Sequence, residues 1–157
     1  MEPRVGVFVC HCGTNIAGIV DVARVAAAAE SMPNVVFATD YKFMCSDPGQ
    51  ALVKEAIVKH KLDRVVVAAC SPRMHEPTFR KACAEAGLNP YLFEMANIRE
   101  HVYWVHEDKE AATVKAIDIV RAAVAKARLL EPLEAREVDV EPKVLIAADG
   151  YTYNGKP

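Results

Sequence analysis

Short, unbroken apolar runs recur along the chain, at Val5 to Val9, Val35 to Ala38, Arg64 to Ala69 and Tyr91 to Phe93. Runs of β-branched and aromatic residues without polar alternation predict strands buried on both faces. Between them the period changes. Val22, Val25, Ala26 and Ala29, then Leu52, Val53, Ala56 and Ile57, then Phe79, Ala82, Cys83 and Ala86 keep three- and four-residue spacing, which predicts three helices with one apolar stripe each. Pro48 and Pro77 fall where first-turn prolines belong, and Gly87 falls where a left-handed cap closes the third helix. A fourth, longer helix is predicted from about Asp108 to Leu130, with Val114, Ile117, Val120 and Val124 inward and Lys115, Asp118, Arg121 and Arg128 toward water. Glu131-Pro132 stops it. Glu137 to Val140 and Lys143 to Ile146 read as short strands in a Glu- and Pro-rich connector, and Asp149 to Pro157 reads as a loop.

The order β-α-β-α-β-α-β-α predicts an α/β fold: an open, mostly parallel, Rossmann-like sheet of about four strands with helices on both faces, a long C-terminal helix and a short tail. Residues 1–133 form the predicted domain, and residues 134–157 form a connector. The 157 residues suffice for one real core and not for two ordinary domains. An apolar share of 52% and a charged share of 25% exclude a disordered chain. A net charge of -2, without a basic cluster, argues against nucleic acid as a partner. No apolar run reaches the length of a membrane span, and the first residues lead into a strand rather than a leader, so a cytoplasmic location is expected. Five cysteines in such a compartment stay reduced, which points to metal, redox or core roles.

Cys10 and Cys12 follow the first strand, Cys45 follows the second and Cys70 ends the third. The carboxyl ends of parallel strands share one edge, and ligands bind in the crevice above it. Four thiols distant in sequence are therefore expected at one site. With the chain extended across Cys10-His11-Cys12, both sulfurs face one centre and His11 faces away, and Gly13 allows the turn. Cys45 precedes Ser46-Asp47-Pro48-Gly49 and Cys70 precedes Ser71-Pro72-Arg73, both helix-entry sequences, so each thiol is expected near free backbone N–H groups, with Arg73 adding a cation.

Four thiolates suit zinc or an iron-sulfur cluster. A site at the open crevice of a domain with its own core favours a [4Fe-4S] cluster for electron transfer. A structural zinc or protein-interaction module is the alternative, and a redox dithiol of Cys10 and Cys12 comes third because a disulfide across one residue is strained. Cys83 lies on the apolar stripe of the third helix and reads as a core thiol. His75 stands near Cys70, in a supporting or a structural role, and His60 is expected to be solvated. Gly13 to Gly18 has the spacing of a phosphate loop, but Ile19 and Val20 replace its Lys and Ser or Thr. Asp47, Glu76, Glu94 and Glu100 lie near the same edge without a nucleophile or base to make a hydrolase. Phe43-Met44 and Met95-Ala96-Asn97-Ile98 are expected to form an apolar docking face there.

Several long strings in this chain resemble the N-terminal domain of the A subunit of heterodisulfide reductase. They are Val7-Phe8-Val9-Cys10-His11-Cys12-Gly13-Thr14-Asn15-Ile16, Asp40 to Gly49, Arg64 to Phe79 with Ser71-Pro72-Arg73-Met74-His75-Glu76-Pro77, Asn89 to Glu100 and Lys126 to Pro132. The resemblance spans about the first 140 residues. It implies an electron-transfer domain with its own [4Fe-4S] cluster on Cys10, Cys12, Cys45 and Cys70. That cluster would serve a complex that couples disulfide reduction to ferredoxin reduction by flavin-based bifurcation. Other redox subunits or flavoprotein domains are the implied partners, with weak self-association, as a homodimer, expected of the isolated chain. FAD is expected in the longer family chain and not on this one, because Ala147-Ala148-Asp149-Gly150-Tyr151-Thr152 lacks the Gly-rich turn that binds it.

Overall fold

A computed structural model of the chain describes residues 2–140 and 142. Four parallel strands, β1 (Val5–Cys10), β2 (Val35–Tyr41), β3 (Arg64–Ala69) and β4 (Phe93–Asn97), form one sheet in the order β2-β1-β3-β4. They alternate with helices α1 (Val22–Glu30), α2 (Asp47–His60), α3 (Pro72–Glu85) and α4 (Lys109–Ala127). Capping side chains set where each helix begins. Asp21, Ser46, Ser71 and Asp108 accept from the first-turn N–H groups of Arg24, Gly49, Arg73 and Ala111.

Helices cover both faces of the sheet, as its unbroken apolar strands require. Val5, Val7, Val9, Val66 and Ala68 pack toward α1 and α4. Phe8, Cys10, Val65, Val67 and Ala69 pack toward α2 and α3. Alternate residues of one strand therefore feed two cores, the period of two of a pleated strand. The chain leaves β1 for β2 on one side and leaves β3 for β4 on the other, so the sheet's topological switch point lies between β1 and β3. Ligand crevices open there.

Several expectations give way. The strand expected over Tyr91 to Phe93 starts only at Phe93 and runs to Asn97. Tyr91 and Leu92 belong to a turn in which their N–H groups donate to Asn89 Oδ1 (2.9 Å) and Asn89 O (3.0 Å). β2 runs three residues past Ala38, to Tyr41. Pro72, not Pro77, opens α3, and Pro77 sits inside that helix, where it leaves the Arg73 carbonyl without its usual N–H donor. Gly87 does take the left-handed conformation, at φ +81°. In α4 the buried stripe is Ala112, Thr113, Ala116, Val120, Ala123, Val124 and Ala127, and Val114 is exposed. Small residues let this helix sit close to the sheet. Thr113 Oγ1 donates to Lys109 O and accepts from Asp21 N, which ties α4 to the start of α1.

Glu137 to Val140 forms no strand and is exposed. The Lys143 to Ile146 strand and the Ala147 to Thr152 segment lie outside the described residues. His60 is not fully solvated, because its ring stacks on Phe37 at 4.4 Å between centroids. Among the described residues no helix is long and apolar enough to cross a membrane.

Candidate metal-cluster site

The loops that leave β1, β2 and β3 carry Cys10, Cys12, Cys45 and Cys70 to the carboxyl edge, and all five cysteines of the chain are free. Cys10 ends β1 with its side chain in the α2/α3 core. Its sulfur accepts from the backbone N–H groups of Cys12 (3.3 Å) and Met44 (3.4 Å). Burial pushes the Cys10 thiol above its ordinary value, these two hydrogen bonds pull it back, and the charges of Cys12 and Cys45 push it up again. Burial also raises the Cys70 thiol. Arg99 opposes that shift, while Cys12, Glu100 and Cys10 reinforce it. Cys10 is thus within electrostatic reach of the other three thiols, and Cys12 is within reach of both Cys10 and Cys70. Among the described residues, no three His, Cys, Asp or Glu side chains stand close enough to share a single metal ion.

The turn after β1 is tighter than an extended Cys10-His11-Cys12. Cys12 adopts φ +51° and Gly13 φ +67°, so the chain reverses at Cys12 itself. A left-handed cysteine is uncommon and costs about 1–2 kcal/mol. The reversal points the Cys12 N–H at the Cys10 sulfur. His11 Nε2 lies 2.5 Å from Asp40 Oδ2, which pins the loop to the end of β2. Gly13 N and His11 N also donate to Lys42 O and Tyr41 O. Gly13 carries no Cβ for a second reason besides its φ, since one there would meet the Phe43 ring at 3.1 Å.

Backbone donors therefore converge on Cys10, and among the described hydrogen bonds none falls on the sulfur of Cys45 or Cys70. The cation is likewise misassigned by the sequence. Arg73 is exposed, and its backbone N–H closes the α3 cap on Ser71. Arg99, just past β4, instead places Nη1 3.7 Å from Cys12 Sγ. The only sequence signal for it was position, beyond the carboxyl end of a strand read too early. His75 lies half-buried in α3. Cys83 is fully buried among core residues, and burial pushes its thiol up to about 12. Three of the four acids near this edge are engaged, Glu76 with Arg80, Glu94 with Lys126 and Glu100 with Arg99, and Asp47 is exposed in the first turn of α2.

Met44 and Ile98, expected on a docking face, are both 0% exposed. Met44 fills the α2/α3 core, and Ile98 is drawn inward as its N–H donates to Ala69 O (2.9 Å). The large apolar side chains that do reach solvent around the cysteines are Phe43, Met74 and Trp104, at 45%, 72% and 62%.

The sequence of the chain is 64% identical over 152 residues to the second iron-sulfur A subunit of CoB–CoM heterodisulfide reductase from Methanopyrus kandleri, covering 96% of this chain and 23% of that protein. It is 61% identical over 150 residues to a protein of Archaeoglobus profundus that is like the A subunit of heterodisulfide reductase, covering 95% and 21%. The A subunit of the H2:CoB-CoM heterodisulfide,ferredoxin reductase of Methanothermobacter marburgensis is also 61% identical over 150 residues, with 95% and 23% covered. Along about 95% of its length the chain is similar to one segment of heterodisulfide reductase A subunits. It spans less than a quarter of the length of these relatives. No protein-family model matches it.

The thiols at this edge fit a thiolate-bound group. Two backbone N–H groups and one guanidinium already point at sulfur, which favours anionic ligands over thiols packed as apolar core. Cys83 shows the contrasting arrangement, buried without a donor among the described hydrogen bonds.

Proposed function

We propose that this domain is a one-electron relay that holds a [4Fe-4S] cluster on Cys10, Cys12, Cys45 and Cys70. The observation that supports the reading is the position of these four cysteines at the carboxyl ends of β1, β2 and β3, with N–H donors aimed at Cys10 and Cys12. The setting supports a cluster over zinc, because the site stands at the open crevice of a domain with its own apolar core, whereas structural zinc staples small domains that lack one. The iron-sulfur and heterodisulfide reductase wording in relatives' names supports the same reading. When bound, the cluster supplies a one-electron carrier close to the surface. The chain's own residues hold the thiolates, shield them on the α2/α3 side with Phe8 and Met44, and donate hydrogen bonds to them.

The domain ends near residue 133, where Asn89 Nδ2 donates to Leu133 O (2.9 Å), and residues 134–157 serve as a connector toward a flavin domain in a longer chain. Cytoplasmic residence suits five free thiols. The partners are other redox subunits or flavoprotein domains, in a complex that reduces a disulfide and ferredoxin by flavin-based bifurcation. They meet the edge at Phe43, Met74 and Trp104.

Anaerobically reconstituted protein should show a broad visible absorption that bleaches on chemical reduction and returns on addition of an oxidised flavoprotein. Absorption that survives reduction unchanged sinks the relay.

A further inference from the structure

Arg99 is the one cation whose side chain touches a candidate ligand sulfur among the described residues. Its backbone N–H donates to Ala69 O, the residue before Cys70, so it enters from the β3/β4 side of the crevice. From there Nη1 crosses to Cys12 Sγ, on the β1 side, at 3.7 Å. Its charge also acts on Cys70. One guanidinium thus spans thiols on both sides of the switch point.

The side chain is held for this task. Nε and Nη2 both donate to Glu100 Oε1, at 3.0 and 2.7 Å, which occupies one edge of the planar fork and leaves Nη1 for sulfur. The Trp104 ring lies 5.6 Å from the guanidinium carbon. Glu100 is itself fixed, because its N–H donates to Asn97 Oδ1 (3.1 Å). Its other oxygen, Oε2, is buried without a hydrogen-bond partner. An unpaired buried acceptor is costly, so the Glu100 contact is better explained by positioning Arg99 than by satisfying Glu100.

We propose that Arg99 is a positioning residue that sets the reduction potential of the cluster through its N–H contact to Cys12, with Glu100 aiming the guanidinium. This rests on the cluster reading above. Reduction adds one negative charge shared with the thiolates, and hydrogen bonds and positive charge at the sulfurs stabilise the reduced form. Arg99 therefore raises the midpoint potential. Glu100, placed on the far side of the guanidinium, lowers it less than Arg99 raises it.

The experiment is an anaerobic potentiometric titration of the reconstituted protein, followed by electron paramagnetic resonance, on the parent and four variants. Arg99→Gln removes the cation and leaves Glu100 uncompensated, so the equilibrium should move about tenfold toward the oxidised form, about 59 mV for one electron. Arg99→Lys keeps the charge but not the fork, and should fall between the parent and Arg99→Gln. It also stands in as the readout if the Gln variant holds no cluster. Glu100→Gln keeps an oxygen for the guanidinium and removes a negative charge, so its midpoint should rise. Arg73→Gln removes a charge at the same edge with no sulfur contact and should leave the midpoint at the parent value. Parent-like midpoints in the Arg99 variants, or an equal shift in Arg73→Gln, overturn the role of Arg99. A parent that holds no iron and sulfide overturns the cluster reading itself, and does so before any substitution is made.

Discussion

Serine at Cys45 or Cys70 is expected to abolish or convert the iron-sulfur cluster, leaving little or no four-iron signal, while Cys83→Ala leaves cluster content at the parent level. A four-thiolate site loses one of its bonds to iron in each of the first two variants. Cys83 sits in the core between α3 and the sheet, at 0% exposure. Its removal costs packing, about 1 kcal/mol for the lost sulfur and cavity, and nothing at the cluster. Cys10→Ser should behave like Cys45→Ser. Cys12→Gly separates ligation from folding, because glycine accepts the φ of +51° without strain. That variant should lose the cluster while its metal-free form melts no lower than the metal-free parent. Iron and sulfide content, electron paramagnetic resonance and thermal melts decide these points. Normal cluster content in Cys45→Ser or Cys70→Ser, or its loss in Cys83→Ala, contradicts the ligand assignment.

The second large effect is expected from a residue with no side chain. A Cβ on Gly49 would lie 2.4 Å from Met44 O and 2.6 Å from Met44 C and Cα, all of them backbone atoms. The first turn of α2 is pressed against the chain segment that leads into Cys45, and Met44 N–H is one of the two donors on Cys10. Alanine would gain up to about 1 kcal/mol of helix propensity. Against this, overpacking on a backbone that cannot rotate away costs about 1–3 kcal/mol and can exceed that. Gly49→Ala should therefore lower the melting temperature and, by moving Met44 and Cys45 together, reduce cluster yield. Gly6→Ala is the informative contrast. Its Cβ would meet Leu62 Cδ1 at 2.4 Å, the end of a side chain that can turn aside, so the loss should be smaller and the cluster intact. A Gly49→Ala protein with parent stability and cluster content would contradict this tight coupling.

The strands β1 and β3 were legible because burial on both faces leaves a run of apolar residues with no competing signal, and β2, an edge strand without a fully buried residue, was legible only from its apolar start at Val35 to Ala38. β4 was not, because Glu94 on this edge strand reaches out to Lys126 and Asn97 caps the following turn, so the pattern looks polar where the strand begins to pair. Side-chain size misled at α4. A helix that approaches closely buries alanines, which sequence patterns weigh lightly, and turns Val114 outward. The edge location of the four cysteines followed from the strand and helix order alone. How they are held did not. The reversal at Cys12 depends on backbone hydrogen bonds that His11 and Gly13 donate to carbonyls at the end of β2, and Arg99 reaches Cys12 across 87 residues of sequence. Met44 and Ile98 were placed on the surface because their loops are there, yet both side chains fold under those loops into the cores.

The central claim is that this chain itself carries a four-iron cluster. Quantitative iron and acid-labile sulfide analysis of protein purified or reconstituted without oxygen tests it most directly. Four iron and four sulfide per chain, with zinc at trace levels, is the predicted result. One zinc per chain with no sulfide would contradict it.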